Sequence, residues 1–313
     1  MNTLKVDIKP LEPGTEAALF DISIIIVNYN GGDLVLRCLQ SIFTTSADYT
    51  FELIFIDNAS ADGSLQRVKE SFPGVRITEL PRNLGLAAAF NLGLKQATGR
   101  YLLSLDNDTR ILPDALSSLV RFMDNHPQTG AVGSLLLNPD MSPQKTARLR
   151  PSAINAVFGR RSLITKIWPG NPWSRKYLME SRLTGSDPFQ VWWVSTAALM
   201  VRKEVYEQIG GLDEDFFVYW VDADWCERIN KAGWQIYAVP DSKIIHDENL
   251  KAGRRARKNY RMLIDFHRGA YLYFVKHHAK SPYHPKGLIA LIGLSLRAAF
   301  LISVDYLKYL PKR

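Results

Sequence analysis

Cysteine is nearly absent: the 313 residues hold only two, Cys38 and Cys226. Their distance in the chain and helix-like surroundings exclude a disulfide scaffold and offer no zinc-ligand spacing, so a reducing compartment is expected. No apolar core follows a basic start within residues 1–20, which are charged and contain proline, so no secretory signal is expected and the cytosol is the expected location. Glycine-rich phosphate cradles are missing too. Neither Gly-x-Gly-x-x-Gly nor a Gly-Lys-Ser/Thr loop occurs, which argues against a dinucleotide dehydrogenase and a P-loop kinase. Any nucleotide phosphates must be neutralised by something else.

What is present is an ordinary globular composition, 46% apolar and 22% charged. Charge is distributed unevenly. Of the 39 Lys and Arg residues, 14 fall in residues 251–313, against two of the 31 acidic ones. Residues 1–250 therefore carry a net −4 and the last 63 a net +12, for a total of +8. A near-neutral body with a cationic tail is suited to an anionic partner.

Short apolar runs alternate with helix-like segments up to about residue 137. Ile22–Asn28, Phe51–Asp57, Val75–Leu80, Tyr101–Asp106 and Ala131–Leu137 read as buried strands. Leu34–Thr44, Ser64–Phe72, Leu86–Ala97 and Pro113–His126 read as the helices between them. This alternation predicts an α/β fold with a mostly parallel central sheet and helices on both faces. Residues 138–188 lack a sustained period and read either as a functional loop region or as elements the pattern does not reveal. Strands near Phe189–Val194, Ala197–Val201, Gln235–Val239 and Ser242–His246 follow, with helices near Lys203–Ile209 and Asp222–Ala232 and a helical stretch over 254–278.

Ligands of such sheets bind beyond the carboxyl ends of the strands. Asn28-Tyr29-Asn30, Asp57-Asn58, Arg82-Asn83 and Asp106-Asn107-Asp108 all fall there. Two carboxylates flanking one residue make a hard-oxygen site for Mg²⁺ or Mn²⁺; alone they are more often a solvated turn, but their place at the end of the fourth strand favours the metal site. His246, before Asp247, would add a nitrogen ligand only if its strand lies beside that turn. Asp222 and Asp224 open a helix, where the macrodipole favours carboxylates, and their aromatic neighbours can raise a carboxyl pKa towards that of a general base. Capping and catalysis are not separable at either position from the sequence.

The run Ile22–Asn30, Asp57 to Ser64, Asn83-Leu84-Gly85 through Asn91, Asp106-Asn107-Asp108 and Gly210–Gly233 together resemble the ordered motif set of family 2 glycosyltransferases, especially bacterial rhamnosyltransferases. The resemblance covers about residues 21–250 and implies a GT-A fold, with an N-terminal lead over 1–20 and a basic helical segment over 251–313. It implies inverting transfer of a sugar, L-rhamnose from dTDP-rhamnose or another sugar from a UDP-sugar, to a glycan or lipid-linked glycan acceptor. By the same likeness Asn28, Tyr29, Asp57, Arg82, Asn83, Asp106 and Asn107 would bind the donor, with Tyr29 against the base and Asp57 accepting from it. Asp108, with Asp106 and His246, would hold the metal; Asp222 would be the catalytic base with Asp224 in reserve; Trp193 and Trp220 would meet the acceptor. The sequence departs from the family at Val221, where a glutamate is usual, and at Ser195-Thr196-Ala197-Ala198, where glycine-alanine is common. A sugar nucleotidyltransferase and a catalytically degenerate membrane-docking homologue are the alternatives.

Lys251–Arg261 holds six basic residues in eleven, and Arg254 and Arg255 are candidates for contacting phosphate or anionic lipid. Nucleic acid is not expected, because no binding module accompanies the charge. In the apolar stretch 286–310, Lys286, Gly293, Arg297 and Lys308 share one helical stripe, which predicts a helix lying in a membrane interface with its cations facing water. A helix packed on another subunit fits the same pattern, leaving a homo-oligomer open. The expected location is cytoplasmic, peripheral on the inner face of the cell membrane.

Overall fold

A computed structural model describes residues 20–45, 48–151, 167–168, 170–247, 259–279 and 281–308. The first four strands expected from the alternation are present. β1 (Ile22–Asn28) lies between β2 (Phe51–Asp57) and β4 (Tyr101–Leu105), and β3 (Arg76–Glu79) flanks β2, all parallel. Helices α1 (Gly32–Thr44), α2 (Ser64–Ser71) and α3 (Leu86–Leu94) make the crossovers. Ile24 and Ile26 enter one core and Ile25 the other, so β1 is buried on both faces, as its unbroken apolar run requires.

Beyond β4 the sheet becomes mixed. Its order is β3-β2-β1-β4-β8-β6-β9-β5, with β7 (Phe189–Val191) on β9. β8 (Ala198–Arg202) runs antiparallel to both β4 and β6 (Thr129–Leu137), and β9 (Gln235–His246) runs parallel to β6. α4 (Ala115–Asn125) precedes β6, and α5 (Pro172–Tyr177) follows the long excursion after it. α6 (Lys203–Ile209) and α7 (Val221–Lys231) lead to β9.

Two details differ from the sequence pattern. The two strands expected around Gln235–His246 are one strand, whose register against β6 shifts between Ser134 and Leu135. Pro240-Asp241 lies at that shift, as expected of a proline that cannot donate to a ladder. A three-residue strand, β5 (Thr109–Ile111), follows the Asp106–Asp108 turn and pairs antiparallel with the end of β9, setting Thr109 opposite His246. Three residues are too few for periodicity to reveal, yet this pairing brings the turn and the histidine together.

The helical stretch expected over 254–278 is α8 (Tyr260–Phe274), capped by Asn259, continuing into a π-turn at Val275–Ala279. Arg254 and Arg255 lie outside the described residues. α9 (Pro285–Lys308) packs along α8. Of the stripe expected to face water, Lys286, Gly293 and Lys308 are exposed, but Arg297 is half-buried, and His267 of α8 senses its charge.

Candidate active site

The four loops at the carboxyl ends of β1 to β4 are tied together by amide side chains. Asn28, fully buried, directs Nδ2 towards Asp57 Oδ1 at 2.9 Å and the Ser60 and Ser64 hydroxyls at 3.0 Å. Its Oδ1 accepts from Asn107 Nδ2 at 2.7 Å. Asn28 therefore joins the loops after β1, β2 and β4, and its amide is consumed inside the protein. Gly31 makes room for this junction: a Cβ there would lie 2.7 Å from Asn107 Nδ2 and closer still to Asn28 Oδ1.

Asn58 does the same one loop further on. Its Nδ2 donates to Asn83 Oδ1 and Gly85 O, and its Oδ1 accepts from Leu84 N. Asp57 is buried and also accepts from Ser60 N, whereas Tyr29 is about half exposed and Arg82 exposed at the rim. Of the residues expected around the donor, Tyr29 and Arg82 thus face outward, while Asn28, Asp57 and Asn107 form the buried floor.

At one side of this rim Asp106, Asp108 and His246 bring two carboxylate oxygens and one imidazole nitrogen within 4.8 Å of one another. His246 Nε2 stands 3.7 Å from Asp106 Oδ2 and 3.5 Å from Asp108 Oδ1. Gln144 fixes the ring. Its Nε2 donates to His246 O at 2.8 Å and Asn138 Oδ1 at 3.1 Å, which leaves Oε1 to accept from His246 Nδ1 at 3.0 Å. The proton on Nδ1 turns the Nε2 lone pair towards the carboxylates, the arrangement a histidine metal ligand needs. Two hard oxygens and an imidazole fit Mn²⁺ or Mg²⁺.

The loop before α7 is pinned over the rim. Leu86 N donates to Phe217 O at 2.6 Å, and Asn91 makes a two-way clasp with the Leu212 backbone at 2.8 Å in each direction. Gly85, at φ +85°, has no space for a Cβ against Phe217. From that loop α7 presents Asp222, half-buried, with Oδ1 accepting from Ala223 N at 2.9 Å. Burial pushes its carboxyl up to about 6; Arg148 opposes the rise, and the negative charge of Asp106 adds to it. The Asp222 carboxyl therefore senses the charge of the Asp106 turn. Asp224 behaves differently. Fully buried, it accepts from His277 at 2.7 Å and Arg228 at 2.8 Å, and although burial pushes it up, these partners hold it below the ordinary carboxylate range.

Of the two tryptophans expected at the acceptor, Trp193 is buried and Trp220 partly buried. Trp193 is buried beneath the Arg148 guanidinium, 4.2 Å from the ring centre. Trp220 donates from its indole to Phe266 O at 3.0 Å and packs on Phe266 and Tyr273 of α8. Sequence reading passed over Gln144, Arg148 and His277. The first two lie in the aperiodic stretch 138–188 and the third at a π-turn, so no motif or period marked them. The small-residue stretch Ser195–Ala198 does run beside the Asp106–Asp108 turn, for Asp106 N donates to Ala197 O at 3.1 Å.

A mixed α/β sheet of this order, carrying an Asp-x-Asp turn beyond a central strand, is the architecture of a GT-A glycosyltransferase. The profile described as Glycosyl transferase family 2 matches residues 23–210, and the chain belongs to that family. It is 28% identical over 269 residues, 82% of this chain and 85% of the relative, to an N-acetylglucosaminyl-diphospho-decaprenol L-rhamnosyltransferase of Mycobacterium tuberculosis. It is 26% identical to the dTDP-rhamnosyl transferase RfbF of Shigella flexneri, over 74% of this chain and 71% of that one. Among solved structures, the mannosyltransferase PcManGT of Pyrobaculum calidifontis in complex with GDP-Man and Mn²⁺ shares the fold at TM-score 0.54 and 19% identity, over 93% of this chain and 74% of that one. GalNAc-T7 with UDP, GalNAc and Mn²⁺ does so at TM-score 0.57 and 19% identity; 74% of this chain spans 44% of it.

Proposed function

We propose that the protein is an inverting, metal-dependent glycosyltransferase that moves L-rhamnose from dTDP-rhamnose to a lipid-linked glycan acceptor during cell-surface polysaccharide synthesis, working in the cytoplasm at the inner face of the membrane. The observation that carries the reading is Asp222. Its carboxyl, raised to about 6, feels the negative charge of Asp106, a member of the Asp106–Asp108–His246 cluster. The rhamnose donor and the lipid-linked acceptor come from the likeness to the two rhamnosyltransferases.

Asp106, Asp108 and His246 would hold Mn²⁺ or Mg²⁺, which when bound neutralises the departing diphosphate. The chain's own residues do the rest. Tyr29 at the rim offers its ring to the base, and Asp57 and Asn83 line the floor beneath it. Asp222 accepts the proton of the acceptor hydroxyl as that oxygen attacks the anomeric carbon and the carbon–oxygen bond to the nucleoside diphosphate breaks on the opposite side. A single displacement inverts the anomeric centre. Val221, at the position where the family usually has glutamate, is buried in the core and leaves Asp222 as the more exposed carboxylate of that first turn.

A thermal-shift panel of sugar nucleotides with and without Mn²⁺, followed by transfer assays, tests the reading, since a ligand of the native state raises its stability. Manganese-dependent stabilisation by dTDP-rhamnose and inverted stereochemistry in the product are expected. Stabilisation by another sugar nucleotide alone would overturn the rhamnose assignment, and retained stereochemistry would overturn the mechanism.

A further inference from the structure

The helix α9 is built inside out for a water-soluble surface. Its residues with reduced exposure are Gly287, Ala290, Leu294, Arg297, Ala298, Leu301, Ile302 and Asp305, which recur at helical spacing along one stripe. That stripe contains the helix's interior charges: Arg297 is half-buried against α8, and Asp305 is buried. The opposite face is open and apolar. Ile289 is 71% exposed, Leu296 67% and Leu307 64%, with Phe300 and Val304 about half exposed between them. A continuous apolar face of this length is a contact surface rather than scattered exposure.

We propose that α9 is a monotopic membrane anchor: it lies in the plane of an anionic bilayer, its Ile289–Leu296–Leu307 face in the acyl region, and does not cross the membrane. The surface stands independently of the transferase reading. Three observations favour this occupant. Charge turned inward and apolar side chains turned outward is the polarity of an element surrounded by lipid. The sequence around the helix is strongly cationic, with 14 basic and two acidic residues over 251–313, matching anionic headgroups rather than a second copy of the same positive segment. Lys286 and Lys308, both exposed, end the apolar face at either side.

Length and composition alone would also allow α9 to span, for its 24 residues cover about 36 Å. Its partner decides against this. α9 packs along α8, and α8 is riveted to the globular body. Asp265 accepts from Val218 N and Tyr219 N at 3.2 Å, Arg268 donates to Asp215 O at 3.1 Å, and Gly269 lies against Tyr219 O so closely that a Cβ would stand 2.8 Å away. Lys276 pairs with Asp215 at 2.6 Å and with Asp213, and His277 with Asp224 at 2.7 Å. A helix upright in the bilayer would draw these charged contacts into hydrocarbon with it. Lying flat, it immerses only its outer face.

The test uses the full chain. Ile289, Leu296 and Leu307 are separated by 7 and 11 residues and so point in one direction; Cys38 and Cys226 are buried. Each of the three is replaced by cysteine in turn and spin-labelled, and its depth in phosphatidylglycerol/phosphatidylcholine vesicles is read by electron paramagnetic resonance with oxygen and nickel relaxants. Three equal, shallow depths are expected. A deep label at 296 between two shallow ones would overturn the proposal in favour of a span. In vesicle flotation, Leu296→Glu with Phe300→Glu is expected to lower partitioning at least about tenfold; these exposed positions leave the fold intact, which circular dichroism checks. Unchanged flotation of that variant would overturn the proposal. So would absence of flotation in the parent protein combined with a dimer that the same variant dissociates, since the face would then belong to a second copy.

Discussion

Asp222 and Asp224, two residues apart in the first turn of α7, are driven in opposite directions by their surroundings. Burial raises Asp222 to about 6, with Arg148 as its opposing cation, while the His277 and Arg228 partners of Asp224 hold that carboxyl low despite its complete burial. One side chain is left poised to take a proton and the other is fastened to the scaffold. Carboxylates whose environments separate their titrations in this way support the proposed assignment of Asp222 as the base and Asp224 as a scaffold contact.

For Asp222→Asn, transfer is expected to fall by about 10²–10⁴-fold, the usual contribution of a positioned base. The variant should at the same time be more stable at pH 8, by at most about 3 kcal/mol, because the raised pKa means that ionising the carboxyl costs the folded state free energy. A carboxyl raised from 3.8 to about 6 destabilises the fold progressively as pH climbs through that window, so the gain should disappear near pH 4. Denaturant unfolding at both pH values checks the sign. The kcat/KM of the parent enzyme should fall as pH drops through about 6.

Asp224→Asn should show the reverse pattern. A depressed carboxyl contributes stability that is present above its unfolded pKa and is lost as pH falls through the folded value. The variant is expected to be less stable by about 3 kcal/mol at pH 7, because it leaves Arg228 and His277 without their buried anion, and the deficit should shrink below pH 4. Its residual activity at low temperature should exceed that of Asp222→Asn; full activity retained by Asp222→Asn would shift the base to Asp224.

How much of this was legible in the sequence depends on how local the signal is. β1, β2 and β4 and their helices are marked by apolar runs and turn residues close to their observed limits, because strands buried on both faces carry an unbroken signature. The loop motifs after them could be read as well, since strand ends place ligands in such sheets. Long-range pairings could not be read. The antiparallel insertion of β8 between β4 and β6 is decided by contacts across about a hundred residues. Gln144 reaches His246 over 102 positions, and Arg148 meets Trp193 across an isolated bridge. The amphipathic stripe of α9 was visible, but which side would face the protein was settled by α8, and Arg297 went inward.

The Asn28–Asn107 junction yields a prediction about backbone space. Gly31→Ala would push its methyl into both amides and break the 2.7 Å bond between them. A loss of about 1–3 kcal/mol of stability is expected from the buried groups left unpaired. Because the junction joins three donor-side loops, KM for the sugar nucleotide should rise more than kcat falls. Steady-state kinetics at saturating acceptor measure that split; an unchanged KM would show that the junction does not shape the donor side.

Gln144 offers the sharpest separation of a positioning role from mere packing. Its backbone N is bonded to Leu136 O at 2.7 Å, so the chain remains in place when the side chain is shortened. Gln144→Ala removes the acceptor that holds the proton on His246 Nδ1, and the ring becomes free to turn its Nε2 away from Asp106 and Asp108. Loss of such an outer partner weakens metal binding about 10–100-fold. Titrating Mn²⁺ into transfer assays should therefore show a higher metal requirement with activity recovered at saturation, whereas His246→Ala should not recover fully. Gln144→Glu, which keeps an acceptor oxygen at the same reach, should restore most of the affinity. If Gln144→Ala requires no more manganese than the parent enzyme, the imidazole is held by other contacts and Gln144 only fills space.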